Sequence, residues 1–556
     1  MIFEQTSFGG GMNLLLPDTQ VPADSYVQLI NGRQRLGFIE PNYKHRLVDA
    51  PIGKKQGIVS IGKVLLLFVA GKAYYQKDGN VGWVQVPNFL MDTLVSRYYT
   101  QAVPASIMNF VRKSTAEGFG APVVISSDFS VSGTPSALVV QDTINQPWLI
   151  FFDPVNEILT ARVSKNYSQW SNVSVTADDR EYIPVGRQMM FINQSLYVVS
   201  RDNKSVYRSV TGRPMDFVIA VDRNGNKLAN ELQGGATALS FAFDFDNITC
   251  LQSVNVPDSF VYATAKTVRI VTLDYTFRLF NEPTFSQSAI IDAGAVNQDS
   301  FVEILGDYAF TDNDGIKSFN AVQQLNVEGR NSIFSLQLTA ILKNIKQRSP
   351  SCVSFNNFAL FYVKTTLGNL IAVYDTLRQS WVSLDLTEVD QIKQFCVLET
   401  TIESKLYCIT DRDELFQLYD KTQTRECAYL FTRAIANENF SIQHKSQIVR
   451  PVFKSGTFDG TCGIVEYVDG LLGIRLNSNL LSSSCGIAYP VIPPIIPSTL
   501  PQTDNDAWLL KDGLGGHKIN YVIYWDNDAQ LKGYFVETSD INKDTSLVQS
   551  DKAYAQ

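Results

Sequence analysis

The chain has 556 residues and a formal net charge of −8, with 47 Lys and Arg against 55 Asp and Glu. Hydrophobic residues make up 45% and charged residues only 18%. That composition supports real packed cores, and it excludes a disordered chain and the basic footprint of a sequence-reading nucleic-acid binder. It does not exclude a conduit through which DNA slides, where adhesion to phosphate would be a defect. The low charge fits an all-β protein with a Ser/Thr/Asn/Gln surface, and equally a subunit that hides surface in an assembly. Thirty-three Phe and 24 Tyr, beside abundant Val, Ile and Thr, favour strands over helices.

Residues 1–56 read as an N-terminal arm and platform segment. Phe8-Gly9-Gly10-Gly11-Met12-Asn13 opens it, Pro17 and Pro22 punctuate it, and Ala23 to Asn31 has weak helical spacing. Asn31-Gly32-Arg33-Gln34-Arg35-Leu36-Gly37-Phe38 predicts a turn and then a strand with alternating cations. Adjacent glycines suit close backbone packing or positive φ. A phosphate-cradling loop would need a strand, glycine loop and helix in one unit with a following Lys, and no such unit is present. The segment lacks the basic and apolar regions of a signal peptide. The longest apolar run, Val64 to Ala70, is too short to span a bilayer.

Residues 57–425 predict a β-propeller of six or seven blades. The clearest unit is Leu370 to Leu384, where an apolar strand enters a polar turn at Asp375 to Gln379 and Trp381 opens the next strand. The same cadence surrounds Trp170 and Trp83. The spacing of these tryptophans is compatible with a repeat of roughly 42 to 44 residues, the length of four short strands with turns. Seven stretches each hold a blade's worth of strands: Gly57 to Val86, Ala137 to Val173, Gly186 to Val221, Asn247 to Thr276, Ser300 to Gln324, Cys352 to Leu386 and Gln391 to Tyr419. Hairpin chemistry marks Asp78-Gly79-Asn80, Arg223 to Asn226, Asp312 to Gly315 and Leu367-Gly368-Asn369. Ser96 to Ser130 and Asp274 to Ile290 read as irregular.

Residues 426–556 predict a C-terminal β-rich platform domain. Gln447 to Phe453 and Gly463 to Val468 read as sandwich strands, the second ending at a turn on Asp469-Gly470. Pro490 to Pro501 forms a stiff proline-rich arm. Ile519 to Trp525 and Leu531 to Thr538 read as a strand pair joined by Asp526 to Gln530. The whole is therefore all-β: a propeller flanked by an N-terminal arm and a C-terminal platform.

Catalytic motifs are missing from the sequence. His45, His444 and His517 stand alone, without acid or Cys neighbours at ligand spacing. Seven Cys form an odd number without CxxC, which predicts reduced, mostly buried thiols. Asp312 to Gly315 starts like a calcium loop, but the distal Glu is lacking and a hairpin turn explains the same residues. Asp244 and Asp246 share one strand face, with no separated second acid for glycoside hydrolysis. No cofactor or metal is expected, and the chain reads as a non-enzyme.

Four phrases carry a family resemblance. Ser205 to Phe217, with Tyr207, Ser209, Pro214, Asp216 and Phe217, resembles a strand-turn-strand phrase of propeller-containing tail proteins of short-tailed bacteriophages. Phe260 to Thr272 is similar to their next hairpin. Ser300 to Lys317 is similar to the phrase after it, through Gly306-Asp307 and Asp314-Gly315. The opening, with Gly9, Gly10, Met12 and Asn13 and then Asn31, Arg33 and Gly37, resembles the start of these nozzle or tail-hub proteins. The order matches over residues 5–385, while the C-terminal part matches only loosely. The resemblance implies a virion tail protein, made in the host cytoplasm, that forms a ring of six copies below the portal and adaptor. Such a ring lines the genome-exit channel and passes double-stranded DNA without binding it specifically. A receptor- or glycan-binding propeller and a carbohydrate-active enzyme are the other classes open to this fold.

Overall fold

The computed structural model describes residues 2–85, 334–436, 443–480 and 509–541 with short breaks, most of 247–319, and separate strands between 123 and 240. Strands dominate it; the α-helix among the described residues is the single turn Thr339–Leu342. Ser209, Pro214, Asp216, Phe217 and Asp314 lie outside the described residues, as do Trp170, Asp78 to Asn80, Arg223 to Asn226, Asp244, Asp246, Cys485 and Pro490 to Pro501.

Among the described residues from 55 to 418 the strands follow one another as seven antiparallel meanders. Four-stranded sheets cover 55–85, 123–163, 186–240 and 248–291, and a three-stranded sheet covers 301–318. The sixth run, 352–386, is the outer part of an eleven-stranded sheet. The seventh, Ile392–Glu399, Ser404–Thr410 and Leu415–Leu418, takes its fourth strand from Arg46–Leu47, near the start of the chain.

Turn chemistry explains why each run folds back on its neighbour. Leu305 and Gly306 (φ 49 and 80) join two strands, and Asn356 and Asn357 (φ 49 and 66) join two others. Two positive φ values in a row give the turn whose twist matches that of the flanking strands. Asp312 pairs with Gly315, whose φ is 142. Val64–Val69 is buried throughout, as expected of the apolar run paired on both sides.

Neighbouring meanders share cores through their faces. Ile58 and Leu67 pack with Leu398 and Tyr407, and Leu360 and Tyr362 with Ile392 and Leu406. Tyr197 and Val206 pack with Leu251 and Phe260, and Val261 and Ala263 with Phe301 and Phe310. The leading strands also lie side by side: Lys55–Ile61 against Ile392–Glu399, which is itself against Cys352–Phe355.

The remaining described strands make two large sheets that share one core, beside a small parallel pair of Gly11–Met12 and Ser25–Tyr26. The eleven-stranded sheet continues from Ser380–Leu386 through Gln28–Ile30 and Ala428–Phe431 to Lys518–Trp525, Gly460–Val468 and Leu471–Leu480. The six-stranded sheet joins Ile2–Gln5, Gln443–Phe453 and Leu531–Ile541 to Phe38–Pro41 and Gly32–Arg35. Ile464, Ile523 and Trp525 of one meet Ile39, Val449 and Val536 of the other.

Three sequence expectations are revised. Ala23 to Asn31 is not helical but holds the strands Ser25–Tyr26 and Gln28–Ile30, because Ile30 is pinned between Leu384 and Tyr429 and Asn31 turns the chain at φ 54. Strands of the N-terminal segment also pair with distant sequence: Ile2–Gln5 with Leu531–Ile541, and Gln28–Ile30 with Ser380–Leu386 and Ala428–Phe431. Asp274 to Ile290 contains the eight-residue strand Thr284–Ile291, paired along Thr267–Asp274. Lys518–Trp525 and Leu531–Ile541 do not pair with each other; the chain crosses between the two sheets, held by a Trp525 Nε1 hydrogen bond to the Ala529 carbonyl (3.0 Å).

Candidate functional site: an arginine clasp and the cleft beside it

Asn31 reverses the chain so that Gly32–Arg35 directs Arg33 into the junction between the two shared-core sheets and the last meanders. Arg33 grips Asp385 with both terminal nitrogens, at 2.9 and 2.5 Å, and also reaches Ser383 Oγ (2.6 Å). Tyr419 donates its hydroxyl to the same carboxylate (2.6 Å), and its ring lies 4.9 Å from the guanidinium. Both charges are almost fully enclosed, at 6% and 2% side-chain exposure. A two-pronged, hydrogen-bonded pair is the geometry in which a buried charge pair survives desolvation. Burial alone would weaken the Arg33 cation, but Asp385 and Tyr419 hold its pKa above the ordinary value. Burial, then Asp385, pushes the Tyr419 phenol well up.

His45 completes the group. Its Nδ1 accepts the Tyr419 backbone N–H (3.3 Å), and the two rings meet edge to face at 5.2 Å. Desolvation lowers its pKa to about 4, so the ring is neutral at pH 7. The clasp thus joins the strand Gly32–Arg35 to the sixth and seventh meanders.

A cleft of about 50 Å³ opens beside the clasp, lined by Arg35, Glu40, Asn42, Lys405, Lys421 and Arg425 among others. Glu40 takes Arg35 Nε at 3.0 Å and Gln530 Nε2 at 3.1 Å. Arg425 lies 3.7 Å over the Tyr43 ring and donates to the Pro41 carbonyl (2.7 Å). A second cavity of about 380 Å³ lies between the first and seventh meanders, lined by Trp83, Gln76, Tyr407, Asp49 and Arg46.

The signature residues divide into two groups. Gly10, Gly11 and Met12 lie against the sixth meander and the strand beside it: a side chain at Gly11 (φ 73) would meet the Trp381 carbonyl at 2.5 Å, and Met12 is fully buried beside Tyr26. Gly9 is exposed, and Asn13 accepts the backbone N–H groups of Leu15 and Leu16 (3.1 Å each). Asn31 Oδ1 accepts the Leu386 N–H (2.9 Å), three residues from Ser383 and one from Asp385 along that strand. Gly37 is exposed at φ 85 in a turn. The second group sits in separate sheets: Tyr207 pairs with Val198, and Asp307 bonds Tyr308 N (2.7 Å) and Ser318 across from Gly306 and Gly315. Arg33 alone was visible in sequence. Asp385, Tyr419 and His45 were not, because three residues brought together over 370 positions leave no local spacing. Among the described residues no cluster of His, Cys, Asp and Glu fits a metal ion. Cys250, Cys352, Cys396, Cys408 and Cys462 are buried free thiols, and among the described residues no helix is long and apolar enough to cross a membrane.

No family model and no curated protein matches the chain. Among solved structures the chain is similar to that of U3-55K, at 9% identity over 67% of this chain and 98% of the other, with a TM-score of 0.35. A likeness that distant does not bear on function.

Proposed function

We propose that this chain is a structural subunit of a short-tailed phage virion: a tail nozzle or hub protein that assembles as a ring of six below the portal and adaptor and lines the genome-exit channel. The observation that carries this reading is the order of the four sequence phrases between residues 5 and 385. In this reading the seven meanders are blades of one closed propeller. Support for closure comes from Arg46–Leu47, which supplies the last strand of the seventh meander, and from the core that the seventh shares with the first. The role is non-enzymatic and needs neither cofactor nor metal. Partners are further copies of the chain, the adaptor ring and other tail proteins, and passing duplex DNA meets an acidic wall to which it does not adhere. Electron-microscope images of the purified protein test it: six-fold rings with a central channel are expected, and isolated particles at every concentration contradict it.

One observation favours a second reading, a glycan-binding tail module. The 380 Å³ cavity sets the partly exposed Trp83 beside Gln76, Asp49 and Arg46, one aromatic ring with polar groups of the kind that holds a sugar ring. A glycan array with wild type and Trp83→Ala separates the two: signal lost in the variant supports this module, and a blank array removes it.

A further inference from the structure

We infer that the cleft beside the arginine clasp is a binding site for a single small oxyanion of phosphate size. Three observations carry this. First, the chain is acidic overall, yet five cationic side chains line this cleft against the two carboxylates of Glu40 and Glu403. Arg33 is committed to Asp385, Arg35 to Glu40, Arg425 to Asp528 and more distantly to Glu40, and Lys421 to Glu403, whereas Lys405 makes no ion pair among the described residues. Second, Asn42 lines the cleft, is only 6% exposed, and its side-chain amide nitrogen has no acceptor. A buried donor without an acceptor costs free energy that an incoming oxygen restores. Third, a space of about 50 Å³ admits one tetrahedral anion or carboxylate group but not a nucleotide, which requires a pocket of about 300 Å³ or more.

The site is assembled from distant parts of the chain: Asn42 from the N-terminal segment, Lys405 from the seventh meander, and Arg425 from the link to the platform. An anion held there would tie the meanders to the platform at the same junction that the Arg33 clasp closes. The ligand chemistry is an oxygen anion, whose source is either free phosphate or a carboxylate group.

Titration calorimetry of the full chain tests this, with inorganic phosphate and, separately, acetate, each against chloride at matched ionic strength. The expected result is saturable binding of one phosphate per chain, weakened about tenfold in Lys405→Gln, which removes one charge-assisted donor. Asn42→Asp, which places a carboxylate in the cleft, abolishes binding, while Lys532→Gln, an exposed charge change outside the cleft, leaves it unchanged. Acetate binding as tightly as phosphate supports the site with a carboxylate as its source, and phosphate alone supports a phosphate source. Absence of saturable binding by either anion, or binding indifferent to both Lys405→Gln and Asn42→Asp in variants that fold by circular dichroism, overturns the proposal.

Discussion

The meanders and the platform are held by opposite kinds of pairing. In the meanders each strand pairs with its sequence neighbour, as Val64 does with Lys77 across one short turn. In the two shared-core sheets Ile2 pairs with Glu537 and Ile30 with Leu384, and Arg46, paired with Gln417, lies in a distant strand that the seventh meander borrows. A local hairpin closes a small loop at little entropic cost, whereas the platform pays for loops of hundreds of residues before its contacts form. The platform therefore concentrates its strongest individual interactions, above all the Arg33–Asp385 clasp, where distant chain segments meet. Stability of the meanders is distributed along the chain; that of the junction rests on a few residues.

The largest expected effect breaks the junction. Arg33→Met or Asp385→Leu alone leaves an enclosed charge unpaired and costs about 3–5 kcal/mol by chemical denaturation. The double replacement recovers most of that loss, since removing both charges removes the desolvation penalty with them. Equal losses in the single and double variants would show that the pair is not what holds the junction.

A glycine pair sharpens the contrast. Gly11→Ala puts a carbon 2.5 Å from the Trp381 carbonyl at φ 73, and costs about 2–3 kcal/mol. Gly306→Ala, in a local hairpin at φ 80 with no atom within 4 Å of the added carbon, costs about 1 kcal/mol. Melting temperatures rank them, and the reverse order would contradict the view that the junction is the less forgiving region.

The smallest effects are pH slopes of opposite sign in the two regions. His45, at the junction, is lowered from 6.5 to about 4 by desolvation. The unfolded chain binds its proton more readily, so this contribution is present above pH 6.5 and is lost as the pH falls toward 4. Asp299, between the fourth and sixth meanders, is raised from 3.8 to about 7 by burial. Its contribution is present below pH 3.8 and is lost as the pH rises toward 7. Melting curves across pH 4 to 8 are expected to show His45→Asn gaining on wild type at the acid end, because Asn keeps an acceptor for the Tyr419 N–H. Asp299→Asn gains at the neutral end. Parallel curves for wild type and both variants would remove the link between these residues and pH.

This division also explains what the sequence revealed. The turns at Asp312 to Gly315, Leu367 to Asn369 and Asp469-Gly470 were legible because a hairpin writes its geometry into two or three adjacent residues. Seven stretches of strand could be marked for the same reason. The weak helical spacing of Ala23 to Asn31 misled because strand pairing with Leu384 and Tyr429 overrides local propensity. The crossing at Asp526 to Gln530 misled because two consecutive strands with a short link ordinarily pair. At the candidate site Arg33 stood out as a cation in a turn-strand phrase, while Asp385 sat unremarked inside an apolar strand and His45 looked solitary. Their relation exists only in three dimensions.

The most direct test of the proposed ring is native mass measurement of the purified chain at physiological salt. The proposed function predicts a species of six subunits, each of 62.0 kDa, that persists on dilution into the range where transient contacts dissociate. A single species at the mass of one subunit across all concentrations would contradict it.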